Sequence, residues 1–227
     1  MRAPSTRGAG ESKRPADGPS YTAGEVIADK YELISVLGQG GMGAVWLARN
    51  LSLDVDVAIK LILSGATSRA ASARLLREAQ AAARLNHPSI VRVFDFGQTS
   101  QGDPFIVMEV VRGESLADLL DRRLRLNAIS AVQMLLPVAS ALAAAHLRGI
   151  VHRDLKPENI ILVTGDEGTL VPKLVDFGIA KVQDDPAESD VPARPLTQAG
   201  SVLGTPDYMS PEQVRASHNV DERTDIW

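Results

Sequence analysis

Residues 149–162 read GIVHRDLKPENIIL, and the interpretation of the whole sequence depends on this stretch. Both of its ends are apolar and predict short buried strands, at residues 150–151 and 160–162. Between the two ends the chain places six polar side chains: His152, Arg153, Asp154, Lys156, Glu158 and Asn159. They belong either to an ordinary surface loop or to a loop that presents them to a ligand. The other motifs of the sequence decide between these interpretations.

The composition excludes several classes of protein. The 227 residues carry a net charge of −4, from 24 basic and 28 acidic side chains, which argues against a general nucleic-acid binder. The absence of cysteine excludes disulfides and thiolate metal sites and is compatible with a reducing cytoplasm. The four histidines lack zinc-ligand spacing. Residues 1–30 are predicted to be a disordered tail, because residues 1–24 are polar and have no apolar core typical of a signal peptide.

The longest apolar run, residues 128–146, is interrupted by Gln133, Pro137 and Ser140. A membrane span needs about 20 predominantly apolar residues. We therefore expect a buried core helix here and no membrane segment within the chain. The working interpretation is a cytoplasmic domain, and a membrane anchor beyond residue 227 in a longer form is compatible with it.

The pattern of the chain changes near residue 113. Alternating and β-branched segments predict strands before that point, at residues 31–50 around a glycine turn, 55–63, 87–97 and 104–111. Helices are predicted at residues 68–85, 115–124 and 128–146. The first of them would have an apolar face of Leu75, Leu76, Ala79 and Ala83. A strand-rich part followed by a helix-rich part indicates two lobes with a ligand crevice between them.

The glycine turn reads GQGGMGAV, with Gly38, Gly40 and Gly43 in a GxGxxGxV pattern. Glycine lets the backbone approach a ligand and leaves N–H groups available to phosphate oxygens, although an ordinary glycine hairpin has the same pattern. A dinucleotide fingerprint requires a helix directly after the glycines. The following AVWLARN alternates like a strand, so the Rossmann interpretation fails.

Lys60 lies within the apolar strand VAIKLIL. A buried ammonium group is costly unless it meets an anion, whereas an edge lysine can extend its amine to water. Glu78, on the helix that follows, is one candidate partner. Taken alone, Glu78 is more typical of a solvated helix face than of a buried ion pair.

Asp154 and Asn159 lie five residues apart, and Asp176 follows another apolar strand in KLVDFGIA. Phosphoryl transfer needs a carboxylate near the attacking hydroxyl and oxygen ligands for Mg²⁺. Asp154 suits the first role, and Asn159 and Asp176 suit the second. Lys156 could neutralise the moving phosphate. This chemistry explains why polar groups interrupt the apolar stretch.

Taken together, these motifs resemble those of the eukaryotic-like serine/threonine protein kinases of bacteria. The motifs GQGGMGAV, VAIK, HRDLKPEN, DFG and GTPDYMSPEQ occur in the family's order from about residue 31 to the end. The resemblance implies an α+β, two-lobed protein-kinase-like fold with a β-rich N-terminal lobe and a mainly helical C-terminal lobe. The kinase domain would span residues 31–227, with the N-terminal lobe at 31–108, the hinge at 109–113 and a partial C-terminal lobe at 114–227.

The resemblance also implies a role for individual residues. Asp154 would be the catalytic base assisted by Lys156, Asn159 and Asp176 the Mg²⁺ ligands, and Lys60 a phosphate contact paired with Glu78. Met108 would lie at the back of the adenine pocket, Thr205 in the substrate loop, and His152 in a packing role. The remaining ATP contacts would come from Leu37, Gly38, Gln39, Gly40, Gly41, Met42, Gly43, Ala44, Val45, Glu109 and Val111.

The implied function is transfer of the γ-phosphate of ATP, with Mg²⁺, to serine or threonine hydroxyls of protein substrates in bacterial signalling; the oligomeric state stays open. Arg153 before Asp154 implies activation by loop phosphorylation, at Thr197 first and Ser201 second. The family's APE is SPE here, at residues 210–212. The family's last helices are missing, so we expect an incomplete, weakly active fragment. An inactive ATP-binding scaffold and a small-molecule phosphotransferase are the competing hypotheses.

Overall fold

The computed structural model describes residues 21–40, 43–62, 79–165, 168–177, 206–215 and 220–227. Most of the helix predicted at residues 68–85 lies outside these ranges. Of its described end, residues 79–82 are helical, with Ala79 and Ala82 buried and Ala83 exposed. The prediction that Ala83 belongs to the apolar face is therefore wrong. Six predicted site residues also lie outside the described ranges: Gly41, Met42, Glu78, Thr197, Ser201 and Thr205.

The first lobe is built on a six-stranded antiparallel sheet. The two strands flanking the glycine turn, and the strand that carries Lys60, form as predicted. The other two predicted strands are shorter, because residues 87–92 and 109–111 are irregular. The strands are β1 (Val26–Ile27), β2 (Tyr31–Gly40), β3 (Gly43–Asn50), β4 (Val55–Ile62), β5 (Val93–Gln98) and β6 (Pro104–Met108). Their order in the sheet is β1-β2-β3-β4-β6-β5.

The two faces of this sheet have different surroundings. Strand β3 alternates strictly between buried and half-buried residues, so Trp46 and Val45 lie on opposite faces. Trp46 belongs to an apolar cluster that includes Tyr21, Ile27 and Tyr31. Residues 21–30 therefore belong to the folded lobe, and the prediction that the disordered tail extends to residue 30 is wrong for them. Val45 packs instead with a smaller cluster that includes Met108. One face is therefore a closed core, and the other lines the crevice.

The second lobe combines helices with a three-stranded antiparallel sheet. The sheet contains β7 (Glu114–Ser115), β8 (Ile160–Thr164) and β9 (Leu170–Leu174). The helices are α1 (Leu116–Arg123), α2 (Ala128–His146) and the short α3 (Pro211–Val214). Single 3₁₀ turns occur at Pro157–Asn159, Pro206–Tyr208 and Glu222–Asp225.

Local sequence explains where these helices begin. Ser115 accepts a hydrogen bond from the N–H of Asp118, whose carboxylate accepts one from the Ser115 N–H, which is a capping box. Asn127 caps α2 by accepting from the N–H of Ser130. Ser210, the serine that replaces alanine in the family motif, begins α3 in the same way with Gln213. The departure from the family motif is therefore compatible with a helix start.

Two expectations about the apolar segments need correction. Residues 150–151 are not a strand: they are irregular, and the N–H of Ile150 bonds the carbonyl of Ala145 at the end of α2. Helix α2 forms as predicted but is buried on one side only, through Val138, Ala141, Leu142 and Ala145. Ile129 and Leu136, by contrast, are 73% and 67% exposed. In the described part of the chain α2 is long and apolar enough to cross a membrane, by length and composition alone.

Candidate active site

The glycine turn connects β2 to β3, with Gly38 opposite Val45 and Gly40 opposite Gly43. Gly43 has φ +146°, and a Cβ placed there would lie 1.9 Å from the carbonyl oxygen of Leu61. A Cβ at Gly38 or Gly40 would meet no atom within 4 Å. Gly43 is thus required by the fold, whereas Gly38 and Gly40 leave open space beside the backbone.

Lys60 projects from β4 and finds an anion. Its Nζ lies 2.7 Å from Oδ1 of Asp176, with side-chain exposures of 19% and 35%. The interpretation of Lys60 as an edge lysine reaching water is therefore wrong. Its predicted pairing with Glu78 involves a residue outside the described ranges. Lys60 and Asp176 come together because β4 and the segment after β9 meet at the crevice between the lobes.

The polar stretch between residues 152 and 159 forms a compact cluster. The Nδ2 of Asn159 donates to the main-chain oxygen of Asp154 at 2.7 Å and to its Oδ2 at 3.0 Å. The Nζ of Lys156 lies 3.4 Å from the same Oδ2. Asn159 is only 7% exposed, so its amide is fixed in orientation. The spacing of these residues in the sequence correctly predicted that they lie together.

His152 has the packing role that the sequence predicted. It is fully buried, and its ring centroid lies 4.7 Å from that of Phe177. Nδ1 accepts from the N–H of Asp154, so Nε2 carries the proton and donates to the carbonyl of Val175 at 3.1 Å. Burial lowers the pKa of His152, which keeps the ring neutral. The neutral ring connects the polar cluster to the segment that carries Asp176.

Asp225 holds the backbone of the polar cluster from a distant part of the chain. Its carboxylate accepts from the N–H groups of His152 at 2.7 Å and Arg153 at 2.8 Å. His146 Nε2 lies 2.8 Å from the same carboxylate, whose side chain is 1% exposed. His146 was missed by the sequence analysis, because a single histidine in an apolar helix carries no local signal. Gln213 was also missed; its Nε2 donates to the carbonyl of Arg153 at 2.7 Å.

The backbone of the segment after β6 is only partly used in backbone hydrogen bonds among the described residues. The N–H of Glu109 is occupied by the carbonyl of Arg92 at 2.9 Å. Within the part of the chain that the structure describes, no backbone hydrogen bond uses the carbonyl of Glu109 or the N–H of Val111. Met108 is buried at the end of β6 in the cluster that lines the crevice. A carbonyl and an N–H two residues apart suit the edge of a purine.

The side chains and backbone groups that line the crevice are of the kinds that bind ATP and Mg²⁺. Asp176 and Asn159 offer a carboxylate and an amide oxygen, the hard ligands that Mg²⁺ prefers. Within the described ranges no three acidic or histidine residues form a metal cluster, so phosphate oxygens and water would complete the coordination. Gly38 and Gly40 leave room for phosphates, and the Lys60 ammonium group faces the same crevice.

The fold and this site together define a protein kinase. Residues 31–227 match the family model described as a protein kinase domain, and the chain belongs to that family. It is 47% identical over 205 residues to the serine/threonine-protein kinase pkn3 of Myxococcus xanthus, covering 90% of this chain and 37% of the relative. It is 41% identical over 205 residues to the serine/threonine-protein kinase PknB of Mycobacterium tuberculosis, covering 88% of this chain and 31% of that protein.

A solved structure confirms the two-lobed α+β kinase fold. The kinase domain of PknI from Mycobacterium tuberculosis superposes with a TM-score of 0.69 at 29% identity, covering 91% of this chain and 73% of that one. The resemblance to bacterial serine/threonine kinases, inferred from five motifs, is therefore confirmed. The chain spans about a third of the length of the curated relatives it matches.

Proposed function

We propose that this chain transfers the γ-phosphate of ATP to serine or threonine hydroxyls of protein substrates, in cytoplasmic bacterial signalling. The observation that carries the proposal is the Asp154–Lys156–Asn159 cluster, whose carboxylate is held by an amide and an ammonium group. The proposed division is a kinase domain at 31–227, with lobes at 31–108 and 114–227 around a hinge at 109–113.

In the proposed mechanism Asp154 accepts the proton of the substrate hydroxyl, and Lys156 offsets the charge on the transferred phosphate. The Nδ2 of Asn159 restricts the orientation of the Asp154 carboxylate. The side-chain oxygen of Asn159 and the carboxylate of Asp176 would hold Mg²⁺. The ion neutralises charge on the phosphates when it is bound.

The same proposal assigns the rest of the site. Lys60 contacts the α/β-phosphates and pairs with Glu78, the glycine turn covers the phosphates, and Thr205 belongs to the substrate loop. The carbonyl of Glu109 and the N–H of Val111 bond the adenine edge. Neither group takes part in a backbone hydrogen bond among the described residues, which supports this assignment.

Two substitutions test the catalytic assignment. Asp154→Asn removes the base and should lower phosphate transfer about a hundred- to ten-thousand-fold while the protein stays folded and binds ATP. Lys60→Met should weaken both ATP binding and transfer. Asp121→Asn on α1 and Lys30→Met are matched controls, because Asp121 is exposed and Lys30 pairs with Asp95. A folded Asp154→Asn protein with near-native transfer would refute the mechanism.

The same measurements separate the kinase from the alternative of an inactive ATP-binding scaffold. A scaffold would bind ATP through Lys60 and the glycine turn without transferring phosphate. Its Asp154→Asn variant would then match the parent chain in every assay. Transfer that depends on Asp154 excludes the scaffold.

We further propose that phosphorylation at Thr197, or at Ser201, activates the enzyme. Arg153 supports this proposal, because its Nε is buried and has no hydrogen-bond partner among the described residues. A phosphate of about −2 charge would give this guanidinium group charge-assisted hydrogen bonds. Phosphopeptide mapping of active protein should find one of the two sites. Active protein modified at neither residue would contradict the proposal.

A further inference from the structure

The side chain of Glu109 joins the two lobes through its carboxylate. Its Oε1 accepts from the Nζ of Lys173 on β9 at 2.7 Å and from the N–H of Arg92 at 2.9 Å. The Glu109 N–H donates in return to the Arg92 carbonyl. One residue of the hinge is therefore bonded to the strand-rich lobe through Arg92 and to the helical lobe through Lys173.

Strand β9 is connected to the same region through its backbone. The N–H of Val91 donates to the carbonyl of Leu174 at 2.9 Å, and the N–H of Leu174 donates to the carbonyl of Ser89 at 2.8 Å. The backbone therefore holds residues 89–91 against β9, independently of any side chain. From β9 the side chain of Lys173 reaches the hinge at Glu109.

We propose that the Glu109–Lys173 ion pair positions the hinge backbone for adenine recognition. This inference rests on the proposed function, because it concerns the same nucleotide site. Residues 109–113 form neither helix nor strand, so nothing regular fixes the direction of the Glu109 carbonyl. The Arg92 carbonyl fixes the Glu109 N–H, and the pair with Lys173 fixes the residue from its other side. Both are positioning residues, since their side chains act through the hinge backbone.

The surroundings of the pair make it stronger than an ordinary surface ion pair. The two side chains are 20% and 22% exposed, so water screens them only in part. The pair of Lys30 with Asp95 at 3.1 Å, by comparison, has exposures of 40% and 42%. A lysine–carboxylate pair of the same chemistry, in a more solvated place and outside the hinge, is therefore available as a control.

The test compares a ligand that has the adenine group with one that has only phosphates. Lys173→Met should weaken adenosine binding about tenfold, because the hinge loses a charge-assisted hydrogen bond. Binding of tripolyphosphate with Mg²⁺ should stay unchanged. Lys173→Arg should retain adenosine affinity, because arginine also donates to the carboxylate. Glu109→Ala should have a larger effect than Glu109→Gln, because glutamine keeps an acceptor for the Arg92 amide. Lys30→Met should alter neither affinity.

Three other results would overturn the positioning role of the ion pair, and one of them would also overturn the proposed function. Unchanged adenosine affinity in folded Lys173→Met protein overturns the positioning role and leaves the proposed function intact. Equal losses for adenosine and tripolyphosphate also overturn it, because they indicate a general loss of structure. A parent chain that binds neither probe overturns the proposed function and the positioning role together.

Discussion

Replacing Asp225 should have the largest effect of any substitution outside the reacting groups. Its carboxylate, 1% exposed, accepts from the N–H groups of His152 and Arg153 and contacts His146. Asp225→Ala leaves two backbone donors without an acceptor. Each unsatisfied buried donor costs about 1–3 kcal/mol, so we expect a loss of about 4 kcal/mol in the free energy of unfolding. Natural domains have only about 5–15 kcal/mol in total.

The functional effect should follow from the backbone at residue 153. Arg153 has φ +61°, a conformation that non-glycine residues adopt at a cost of about 1–2 kcal/mol. Without Asp225 this strain can relax, and Asp154 moves with its neighbour. Asp225→Asn keeps one acceptor but turns a donor toward the other N–H, so its cost should be about half that of alanine, roughly 2 kcal/mol.

Urea denaturation, monitored by fluorescence, measures the loss in unfolding free energy of each variant. A phosphate-transfer assay at urea concentrations too low to unfold the variant measures the effect on function. Glu222→Ala is the matched control, because this exposed carboxylate lies in the same 3₁₀ turn. An Asp225→Ala protein whose unfolding free energy lies within about 0.5 kcal/mol of the parent chain would refute the reasoning, because that change is typical of ordinary surface positions.

Two further predictions separate structural from functional roles. Gly43→Ala should lower the unfolding free energy by about 3 kcal/mol in thermal unfolding, because residue 43 has a positive φ and the new Cβ would overlap the Leu61 carbonyl. Gly38→Ala should leave thermal unfolding unchanged, because its Cβ meets no atom, but it should weaken ATP binding. Burial lowers the pKa of His152 below its ordinary value of about 6.5. Below that pH the histidine is therefore protonated in the unfolded chain while it stays neutral in the folded chain. Stability should be level above about pH 6.5 and fall below it by up to about 1.4 kcal/mol per pH unit, and His152→Gln should remove this slope in urea titrations.

The sequence predicted contacts that are local and failed where they are distant. Asp154 and Asn159 could be placed together because five residues of loop separate them. The sequence indicated an anionic partner for Lys60 and offered Glu78, but it did not indicate Asp176, which lies 116 residues away. No periodicity within a segment contains that information. Asp225 likewise lies 73 and 72 residues from the His152 and Arg153 N–H groups that it binds, and His146 at the same carboxylate was missed altogether.

The fold was predicted well where a pattern was long and poorly where it was short. The segment AVWLARN predicted a strand at residues 44–50, and β3 covers it with Gly43 added at the start. Residues 150–151 are too few to distinguish a strand from an irregular segment that is half-buried. The turn at Gly149, with φ +70°, directs them back to the end of α2 instead. Helix α2 is apolar on all sides, so its sequence alone could not show which side is covered.

Arg153, next to the proposed base, and Asp176, a proposed Mg²⁺ ligand, both have a positive φ. Each is held by a contact with a residue far away in the sequence. Arg153 has φ +61° and Asp176 has φ +55°. Asp225 fixes the first through its N–H, and Lys60 fixes the second through its carboxylate. A local sequence preference would not retain the Arg153 conformation, because arginine rarely adopts it, whereas aspartate adopts it more readily. The site geometry therefore depends on tertiary contacts, and it should be lost before the β-rich lobe unfolds whenever those contacts are removed.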